Sequence, residues 1–287
     1  WFYSDGGQNA SVAIKHDGTL WSWGWNDQGQ LGTNNTTNYS SPVQVGSLTD
    51  WKGNTTAELL AGYPVKFAVG YNTTLIIKDD GTLWGWGKND RGQIGDGTNV
   101  GKSSPVQVGS LTTWQSVGKA YDSVLATRTD GTLWAWGDGA DGALGQGNTT
   151  TYSSPVQVGA LTTWARICSN TQSSYAVKTD GTLWSWGKGG YKNLGHGNTT
   201  DYSSPVQVGS LTDWKHVGAA ASAQFNVKTD GTLWACGTDD YGKLGTQGSS
   251  ITGTVCSPVQ VGSATDWGPI LVTRMGSTMS IQRAVTG

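Results

Sequence analysis

Charged residues are scarce in this 287-residue chain: Asp, Glu, Lys and Arg together make up 13% of it, about half of the usual quarter in globular proteins. The formal net charge is −2, and the basic residues are spread along the chain rather than clustered to follow a phosphate backbone. A nucleic-acid partner is therefore not expected. No apolar run approaches the roughly 18 residues that a membrane-spanning helix needs, so the sequence predicts no membrane span.

Cysteine is equally rare. The three cysteines, Cys168, Cys236 and Cys256, are an odd number at spacings that match no zinc or redox motif. Cys236 and Cys256 lie in one repeat and leave a disulfide open, but free thiols are the expectation. The sequence thus predicts neither a metal site nor a disulfide framework.

No constellation of catalytic residues stands out. The three histidines share no repeat position and are assigned to the surface or to turns; they are His16, His196 and His216. The glycine-rich segment 87–97 lacks the Gly-Lys-Ser/Thr ending of a phosphate-binding loop and the acidic spacing of a calcium loop. We therefore predict a chain that is not an enzyme, with no catalytic residues and no cofactor.

Glycine and tryptophan are abundant instead, with 44 and 16 copies, and they belong to repeats. The string DGTLW begins at residues 17, 80, 130, 180 and 230, and SPVQVG begins at residues 41, 104, 154, 204 and 257. A Trp opens each unit, which gives five full units and a partial sixth. The units are residues 1–50, 51–113, 114–163, 164–213, 214–266 and 267–287.

Each unit contains four short runs of β-prone residues separated by turn signals. In the fourth unit these runs are residues 164–168, 174–178, 182–186 and 205–208. The repeat predicts an all-β fold, a β-propeller of four-stranded antiparallel blades in one domain that spans residues 1–287. Six blades are favoured, and seven would require residues beyond this sequence.

Three local expectations follow for the blades. The Asp-Gly pair predicts a hairpin turn with positive φ at both central positions, and the proline of SPVQVG should begin the outer, edge strand. The small residue between the two aromatic positions of the third run should accept a Trp from the neighbouring blade. Cys236 replaces the second of these tryptophans in the fifth unit, so the far face of that unit should meet a different or incomplete neighbour.

The stretch DGTLWSWGKGGYKNLGHGNTTDYSSPVQVG, at 180–209, with WNDQGQLG at 25–32 and KNDRGQIG at 88–95, resembles the repeats of the regulator of chromosome condensation family. The resemblance covers nearly the whole chain and implies a circular propeller, commonly of seven blades. Its founding member is a nucleotide-exchange factor for a small GTPase. The near-identity of the units and their low charge look more like propeller repeats of bacteriophage virion proteins and bacterial surface proteins.

Two sets of loops vary most between the units, and binding residues are concentrated on loops that a rigid scaffold holds. The first loops join strands one and two, at residues 5–8, 70–73, 119–122, 170–172 and 219–222. The third loops follow strand three, at residues 25–28, 88–91, 138–141, 188–192 and 238–241. The candidate contacts are Trp25, Arg91, Tyr121, Asp122, Tyr191 and Tyr241. Drift in unconstrained loops is the alternative.

A thirteen-residue insertion at residues 51–63 sets the second unit apart. It carries Glu58, Leu59 and Leu60, which we interpret as an interaction tab or an oligomer contact, against a harmless surface excursion.

The expected function is a non-enzymatic scaffold that binds a protein or a surface glycan, as a structural or adhesion module on a virion or a cell surface. Assembly with other virion or surface subunits would follow, and the location would be extracellular. The alternative is an intracellular protein-interaction propeller in the cytoplasm, such as a regulator of a small GTPase.

Overall fold

The computed structural model describes residues 3–6, 10–51, 54, 65–220, 222–240, 242–246, 252–271 and 280–283. Strands dominate these residues, with one short 3-10 helix at Ala140–Gly142. No helix in these ranges is long and apolar enough to span a membrane.

The strands form five four-stranded antiparallel sheets and one two-stranded sheet, each paired in sequence order. Blade 1 contains β1 (Tyr3–Gly6), β2 (Ala10–Ile14), β3 (Leu20–Gly24) and β4 (Tyr39–Gln44). Blade 2 contains β5 (Phe67–Val69), β6 (Thr73–Ile77), β7 (Leu83–Gly87) and β8 (Lys102–Gln107). Blade 3 contains β9 (Trp114–Lys119), β10 (Ser123–Arg128), β11 (Leu133–Gly137) and β12 (Tyr152–Gln157). Blade 4 contains β13 (Trp164–Ser169), β14 (Ser173–Lys178), β15 (Leu183–Gly187) and β16 (Tyr202–Gln207). Blade 5 contains β17 (Trp214–Ala220), β18 (Ala223–Lys228), β19 (Leu233–Asp240) and β20 (Thr252–Gln260). The last sheet pairs β21 (Trp267–Leu271) with β22 (Ser280–Arg283).

The predicted all-β propeller of four-stranded blades is confirmed, and in blade 4 the first three predicted runs match their strands to within one residue. The fourth run was placed wrongly. Strand β16 begins at Tyr202, and Pro205 lies inside it rather than at its start. The ladder between β15 and β16 shifts register at this point, so the proline interrupts no regular pairing.

The Asp-Gly turn also differs from the expected type. Gly18 N–H donates to the Lys15 carbonyl at 3.0 Å, and Lys15 N–H donates to the Thr19 carbonyl at 3.0 Å. Gly18 has a φ of 79°, whereas Asp17 has no positive φ. This is the three-residue loop in which a left-handed glycine follows an ordinary turn. The aspartate is free to use its side chain instead.

That side chain starts a hydrogen-bond relay. The Asp17 carboxylate accepts from the Thr19 backbone N–H at 3.0 Å and from the Thr19 hydroxyl at 2.6 Å. Trp21 Nε1–H then donates to the Thr19 hydroxyl oxygen at 2.8 Å. The same relay occurs in all five full units, at Asp80, Asp130, Asp180 and Asp230 as well. The DGTLW motif therefore encodes one turn, with its hydrogen-bond relay, that is repeated in every full unit.

The buried core lies between blades rather than within them. Four of the five apolar clusters draw buried side chains from two successive blades. The buried side chains of the fifth belong to blade 5, and the partly buried Trp267 of the last sheet packs against them. Between blades 3 and 4, for example, Leu125 and Leu144 pack with Trp164 and Trp186. Burial of such faces from water is the main stabilising contribution in folding, so a single blade leaves its apolar faces uncovered.

A tryptophan of the third strand links each of blades 2 to 4 to the blade before it. Trp136 is fully buried, and its Nε1–H donates to the Gln93 carbonyl of blade 2 at 3.0 Å. The indole sits against Gly95, where an added Cβ would lie 2.6 Å from Trp136 Nε1. Trp86 and Trp186 make the equivalent bonds at 2.9 Å, to Gln30 and Ala143.

The indole N–H is thus seated against a glycine that follows the third loop, a residue that the sequence did not single out. The small strand residue also faces the neighbouring blade where its contacts are described, since Ala135 lies in one buried cluster with Trp164 and Trp186 of blade 4. A Cβ at Gly85 would lie 2.8 Å from Leu75 and 3.2 Å from Ile94. Both neighbours belong to its own blade. The small residue therefore also leaves room for side chains of its own blade, on the strand face opposite to the two tryptophans. Its equivalents are Ser22, Ala135, Ser185 and Ala235.

Two further expectations are corrected in blade 5. Cys236 faces the preceding blade, since its Sγ lies 3.6 Å from the Asn193 carbonyl oxygen, so its replacement of Trp alters the junction of blades 4 and 5. All three cysteines are free. His216 is buried in β17 with 7% exposure, and His196 is half-buried against Tyr202 at a ring distance of 4.8 Å. Of the histidines, His16 is exposed in a turn as expected.

The tryptophan seat predicts a difference between two glycines with similar backbone geometry. Gly95 (φ 86°) faces the indole, whereas Gly109 (φ 63°) has nothing within 4 Å of an added Cβ. We expect Gly109→Ala to cost about 1 kcal/mol, for the backbone alone, and Gly95→Ala to cost several times more. Urea unfolding of both variants measures this difference, and equal losses would contradict the seat.

The relay predicts that the pKa of the turn aspartate depends on the hydroxyl of the threonine two residues later. Hydrogen bonds from the Thr132 hydroxyl and backbone lower the pKa of Asp130 below its ordinary 3.8. Because the folded pKa is the lower one, this interaction stabilises the fold above about pH 4 and is lost as the pH falls through the folded value. In Thr132→Val the Asp130 pKa should rise toward 3.8, as followed by carboxyl NMR. Thr129→Val, at an exposed neighbour, should leave it unchanged.

Candidate functional site: the loop face

The first and third loops lie on the same side of the propeller, because alternate ends of antiparallel strands meet at one edge of a sheet. We call this surface the loop face. The Asp-Gly turns and the linkers between blades form the opposite surface, the turn face. There Trp51 N–H donates to the Gly18 carbonyl at 3.1 Å, and a Cβ at Gly18 would lie 1.9 Å from the Thr49 carbonyl oxygen. The turn face is thus fixed by close backbone contacts.

Buried asparagines anchor the third loops of blades 1 and 2. Asn89 is 1% exposed; its Oδ1 accepts from Ile94 N–H at 2.8 Å, and its Nδ2 donates to the Thr98 carbonyl at 2.9 Å. Asn26 makes the same type of bonds to Leu31 and Thr37. These bonds hold the loop in one conformation and leave its tip to vary.

Side-chain clasps connect the third loop of one blade to the first loop of the next. Gln93 Nε2 donates to Asp122 Oδ1 at 2.7 Å, and Lys88 Nζ lies 3.8 Å from the same oxygen. Between blades 3 and 4, Gln172 Nε2 donates to Asp141 Oδ2 at 2.9 Å. Between blades 1 and 2, Gln30 faces Asn72 at 3.3 Å. Part of the sequence variation between the loops is therefore explained by donor and acceptor side chains that are matched across each blade junction.

The clasps change the interpretation of Asp122. Its side chain is only 18% exposed and already accepts from Gln93, so it is placed to join two blades rather than to reach a partner. The clasp residues Gln93, Asp141 and Gln172 were missed from the sequence. A comparison of the third loop of each unit with the first loop of the following unit, rather than with the first loop of the same unit, would have shown these residues as pairs.

Four other candidates point outward, one on each of blades 1 to 4. Trp25 is 50% exposed, Tyr121 is 41% exposed and Tyr191 is 44% exposed. Arg91 is also exposed, and its backbone N–H donates to Gln93 Oε1 at 2.8 Å. Large aromatic side chains and arginine dominate the energetics of protein interfaces, so these four side chains stay the predicted contacts.

Tyr121 stacks on Tyr71 across the junction of blades 2 and 3, with ring centroids 5.2 Å apart. Tyr71 occupies the same repeat position and was not singled out from the sequence, although alignment of the units places it there. Beneath the pair, Lys119 Nζ donates to the Tyr121 carbonyl at 2.8 Å. Burial lowers the pKa of Lys119 to about 8, against an opposing effect of Asp122. Beside Tyr121 a depression of about 140 Å³ reaches to Asp141 and Gln172.

The remaining candidates lie outside the described residues. These are Tyr241, in the third loop of blade 5, and the insertion residues Glu58, Leu59 and Leu60. Their assignment as contacts stays a prediction.

The described residues offer no cluster of three or more His, Cys, Asp or Glu side chains that could hold a metal ion. Burial raises the pKa of Cys168 to about 12 and that of Cys236 higher still. Because the thiolate is the reactive form of cysteine, neither thiol is suited to nucleophilic chemistry at neutral pH.

Tandem four-stranded blades with DGTLW turns and glycine-seated tryptophans define a class of repeat propeller. The model of the RCC1-like domain family matches residues 4–283, nearly the whole chain. The protein belongs to the RCC1-like domain family, as the resemblance to the regulator of chromosome condensation repeats implied.

Its curated relatives share part of the chain. The ultraviolet-B receptor UVR8 of Arabidopsis thaliana is 32% identical over 107 residues, which are 37% of this chain and 22% of that protein. Protein RCC2 of Mus musculus is 35% identical over 99 residues, 34% of this chain and 17% of that protein. The matches thus span about a fifth of the length of these relatives.

Solved structures extend the similarity to the whole fold. Human WBSCR16 superposes with a TM-score of 0.74 at 21% identity, over 91% of this chain and 66% of that one. Yeast RCC1 (Prp20), in its complex with Kap60, gives a TM-score of 0.71 at 21% identity, over 91% of this chain and 63% of that one. At this identity the likeness shows the fold alone.

The clasp makes a testable distinction between Asp122 and its neighbours. Asp122→Ala removes the acceptor of Gln93 and should lower the free energy of unfolding by about 1 to 2 kcal/mol. Asp122→Asn keeps an oxygen acceptor and should lose less. Arg91→Ala, at an exposed position, should change stability by less than about 0.5 kcal/mol. Urea unfolding distinguishes them, and equal effects of Asp122→Ala and Arg91→Ala would refute the clasp.

Proposed function

We propose that the chain is a non-enzymatic protein-interaction propeller that binds a protein partner through its loop face. The observation that carries the proposal is the set of outward aromatic and arginine side chains, one on each of blades 1 to 4, on loops that the clasps and buried asparagines hold in place. A rigid scaffold with exposed aromatic anchors loses little conformational entropy on binding. The anchors are Trp25, Arg91, Tyr121 and Tyr191.

The family supports a protein partner. Yeast RCC1 (Prp20) was crystallised bound to Kap60, and a structure of Prp20p from Saccharomyces cerevisiae was described with its binding properties to Gsp1p and histones. Regulation of a small GTPase by an intracellular protein is the candidate that these similarities favour. We propose a non-enzymatic role because the buried thiols are unsuited to nucleophilic chemistry and because the related structures named above are described as binding proteins.

A structural role on a virion or a cell surface, with glycan or subunit partners outside the cell, is the other candidate. It rests on the near-identity of the units and their low charge. None of the relatives named above is described as a virion or surface protein, so we rank it second.

The chain offers a matched pair of variants to locate the binding surface. The loop-face variant replaces Trp25, Arg91, Tyr121 and Tyr191 with Ala. The turn-face variant replaces four leucines with Ala, also one per blade and of similar exposure: Leu48 (43%), Leu111 (38%), Leu161 (44%) and Leu211 (44%). Both remove four exposed side chains, so stability should change little in either.

Biolayer interferometry with purified Gsp1p and with core histones as probes tests the proposal. At least one probe should bind the wild-type chain at micromolar concentrations, and the loop-face variant should weaken binding by about tenfold or more. The turn-face variant should retain affinity. Loss of binding in the turn-face variant alone would show that the partner binds the turn face and would refute the loop-face site. Failure of both probes to bind the wild-type chain would overturn the proposed role as a regulator of a small GTPase.

A further inference from the structure

Two of the cysteines replace, in blade 5 alone, residues that the other four full units share. Cys236 of β19 stands where those units have a tryptophan, and Cys256 of β20 stands where they have a serine. The replaced residues are Trp23, Trp86, Trp136 and Trp186 in strand three, and Ser40, Ser103, Ser153 and Ser203 in strand four. Both positions have thus become cysteine in the same unit.

The ladder between β19 and β20 brings the two cysteines close together. Ala235 pairs with Val259 and Gly237 pairs with Val255, with a register shift between these pairs. Cys236 therefore lies opposite the bulged segment 256–258, which begins with Cys256. Facing residues of an antiparallel pair have Cα atoms about 4.5 to 5.5 Å apart, within the range of about 4.4 to 6.8 Å that a disulfide needs.

Both side chains point toward blade 4. Cys236 Sγ lies 3.6 Å from the carbonyl oxygen of Asn193 in that blade. For Cys256 the direction follows from its counterpart Ser203, whose Cβ lies 2.9 Å from the position of an added Cβ on Gly142 in the preceding blade. The two thiols are therefore on one face of two adjacent strands.

Strand β20 keeps the position that strand four has in blade 4. Gly197 N–H donates to the Cys256 carbonyl at 2.9 Å, and Gly147 N–H makes the equivalent bond to Ser203 at 2.7 Å. The direction inferred from Ser203 thus holds for Cys256.

The two thiols differ in access to solvent. Cys236 is fully buried, with its Sγ 3.2 Å from Gln224 Oε1, whereas Cys256 is partly exposed. Burial raises the pKa of Cys236, and a negative charge on Cys256 raises it further. Because the thiolate is the reactive form, Cys256 is the thiol that reacts first with an oxidant.

We propose that Cys236 and Cys256 form a reversible cross-strand disulfide when the chain meets a disulfide oxidant such as oxidised glutathione. The Cys256 thiolate attacks one sulfur of the oxidant, the glutathione S–S bond breaks, and one glutathione thiolate leaves. Cys236 then loses its proton to solvent, and its sulfur attacks the Cys256 sulfur and releases the second glutathione. Two cysteine thiols are oxidised, and one glutathione disulfide is reduced to two thiols.

The disulfide acts on the junction of blades 4 and 5. A disulfide sulfur carries no proton, so oxidised Cys236 can no longer donate to the Asn193 carbonyl. This junction already lacks the indole bond of the three junctions before it. Oxidation therefore loosens the contact between blades 4 and 5, as expected of a redox-sensing disulfide. The site does not depend on the proposed protein partner.

Mass spectrometry after incubation with oxidised glutathione tests the disulfide. Remaining thiols are blocked with N-ethylmaleimide in denaturant, and trypsin then separates the two cysteines by cleavage after Lys243. The Cys236 peptide should be joined to the Cys256 peptide, and Cys168 should carry maleimide. A mixed disulfide of Cys256 with glutathione should appear first, because the raised pKa of Cys236 slows the second step.

A matched control keeps three cysteines but moves one thiol to another blade. Cys256→Ser combined with Ser203→Cys places the thiol at the same strand position in blade 4, and the disulfide should be lost completely. A disulfide in this control, a disulfide through Cys168, or a Cys236 that stays reduced once Cys256 carries glutathione would overturn the proposal.

Hydrogen exchange of two indole N–H groups tests the effect on the junction. Trp214 is buried between blades 4 and 5, and Trp164 is equally buried between blades 3 and 4. Oxidation should speed the exchange of Trp214 and leave that of Trp164 unchanged, since exchange of a buried group follows local opening. Equal exchange of Trp214 in the oxidised and reduced chains would refute the link between the disulfide and the junction.

Discussion

The contact between a third-strand tryptophan and the glycine of the preceding blade is the interaction on which the rest of this propeller depends. Trp86, Trp136 and Trp186 are each fully buried and each donate an indole hydrogen bond to a carbonyl of the blade before. A large aromatic buries about 150 to 250 Å², which at about 25 cal/mol per Å² is a gross contribution of about 4 to 6 kcal/mol per junction. The directional hydrogen bond also fixes how far one blade is rotated against the next.

This packing separates the two surfaces of the molecule. On the turn face, the Asp-Thr-Trp relay and the linker that crosses the turn glycine leave no room for change, and the sequence repeats almost letter by letter. On the loop face, the same scaffold tolerates variation, within the limits of the clasps. The third junction exchanges the roles of its partners, with the carboxylate of Asp141 in the third loop and the amide of Gln172 in the first loop. Variable loop residues thus divide into those that join blades and those that face solvent.

The fold was predictable from the sequence because its signals are local and repeated five times: period-two strands, Asp-Gly turns and a Trp at the start of each unit. The errors came from contacts between units. The sequence did not reveal that Gly95 seats the indole of Trp136 or that the side chain of Asp122 meets Gln93 from another blade. No periodicity along one unit records such pairs.

The junction of blades 4 and 5 lacks the indole hydrogen bond to the preceding blade, because Cys236 replaces the tryptophan. Its thiol, a weaker donor, approaches the Asn193 carbonyl instead. Native-state hydrogen exchange of the indole N–H groups shows whether the indole bonds hold the blades together. We expect Trp86, Trp136 and Trp186 to exchange only when the blades separate, as slowly as the backbone amides of β10. Exchange as fast as that of the half-exposed Trp25 indole would contradict it.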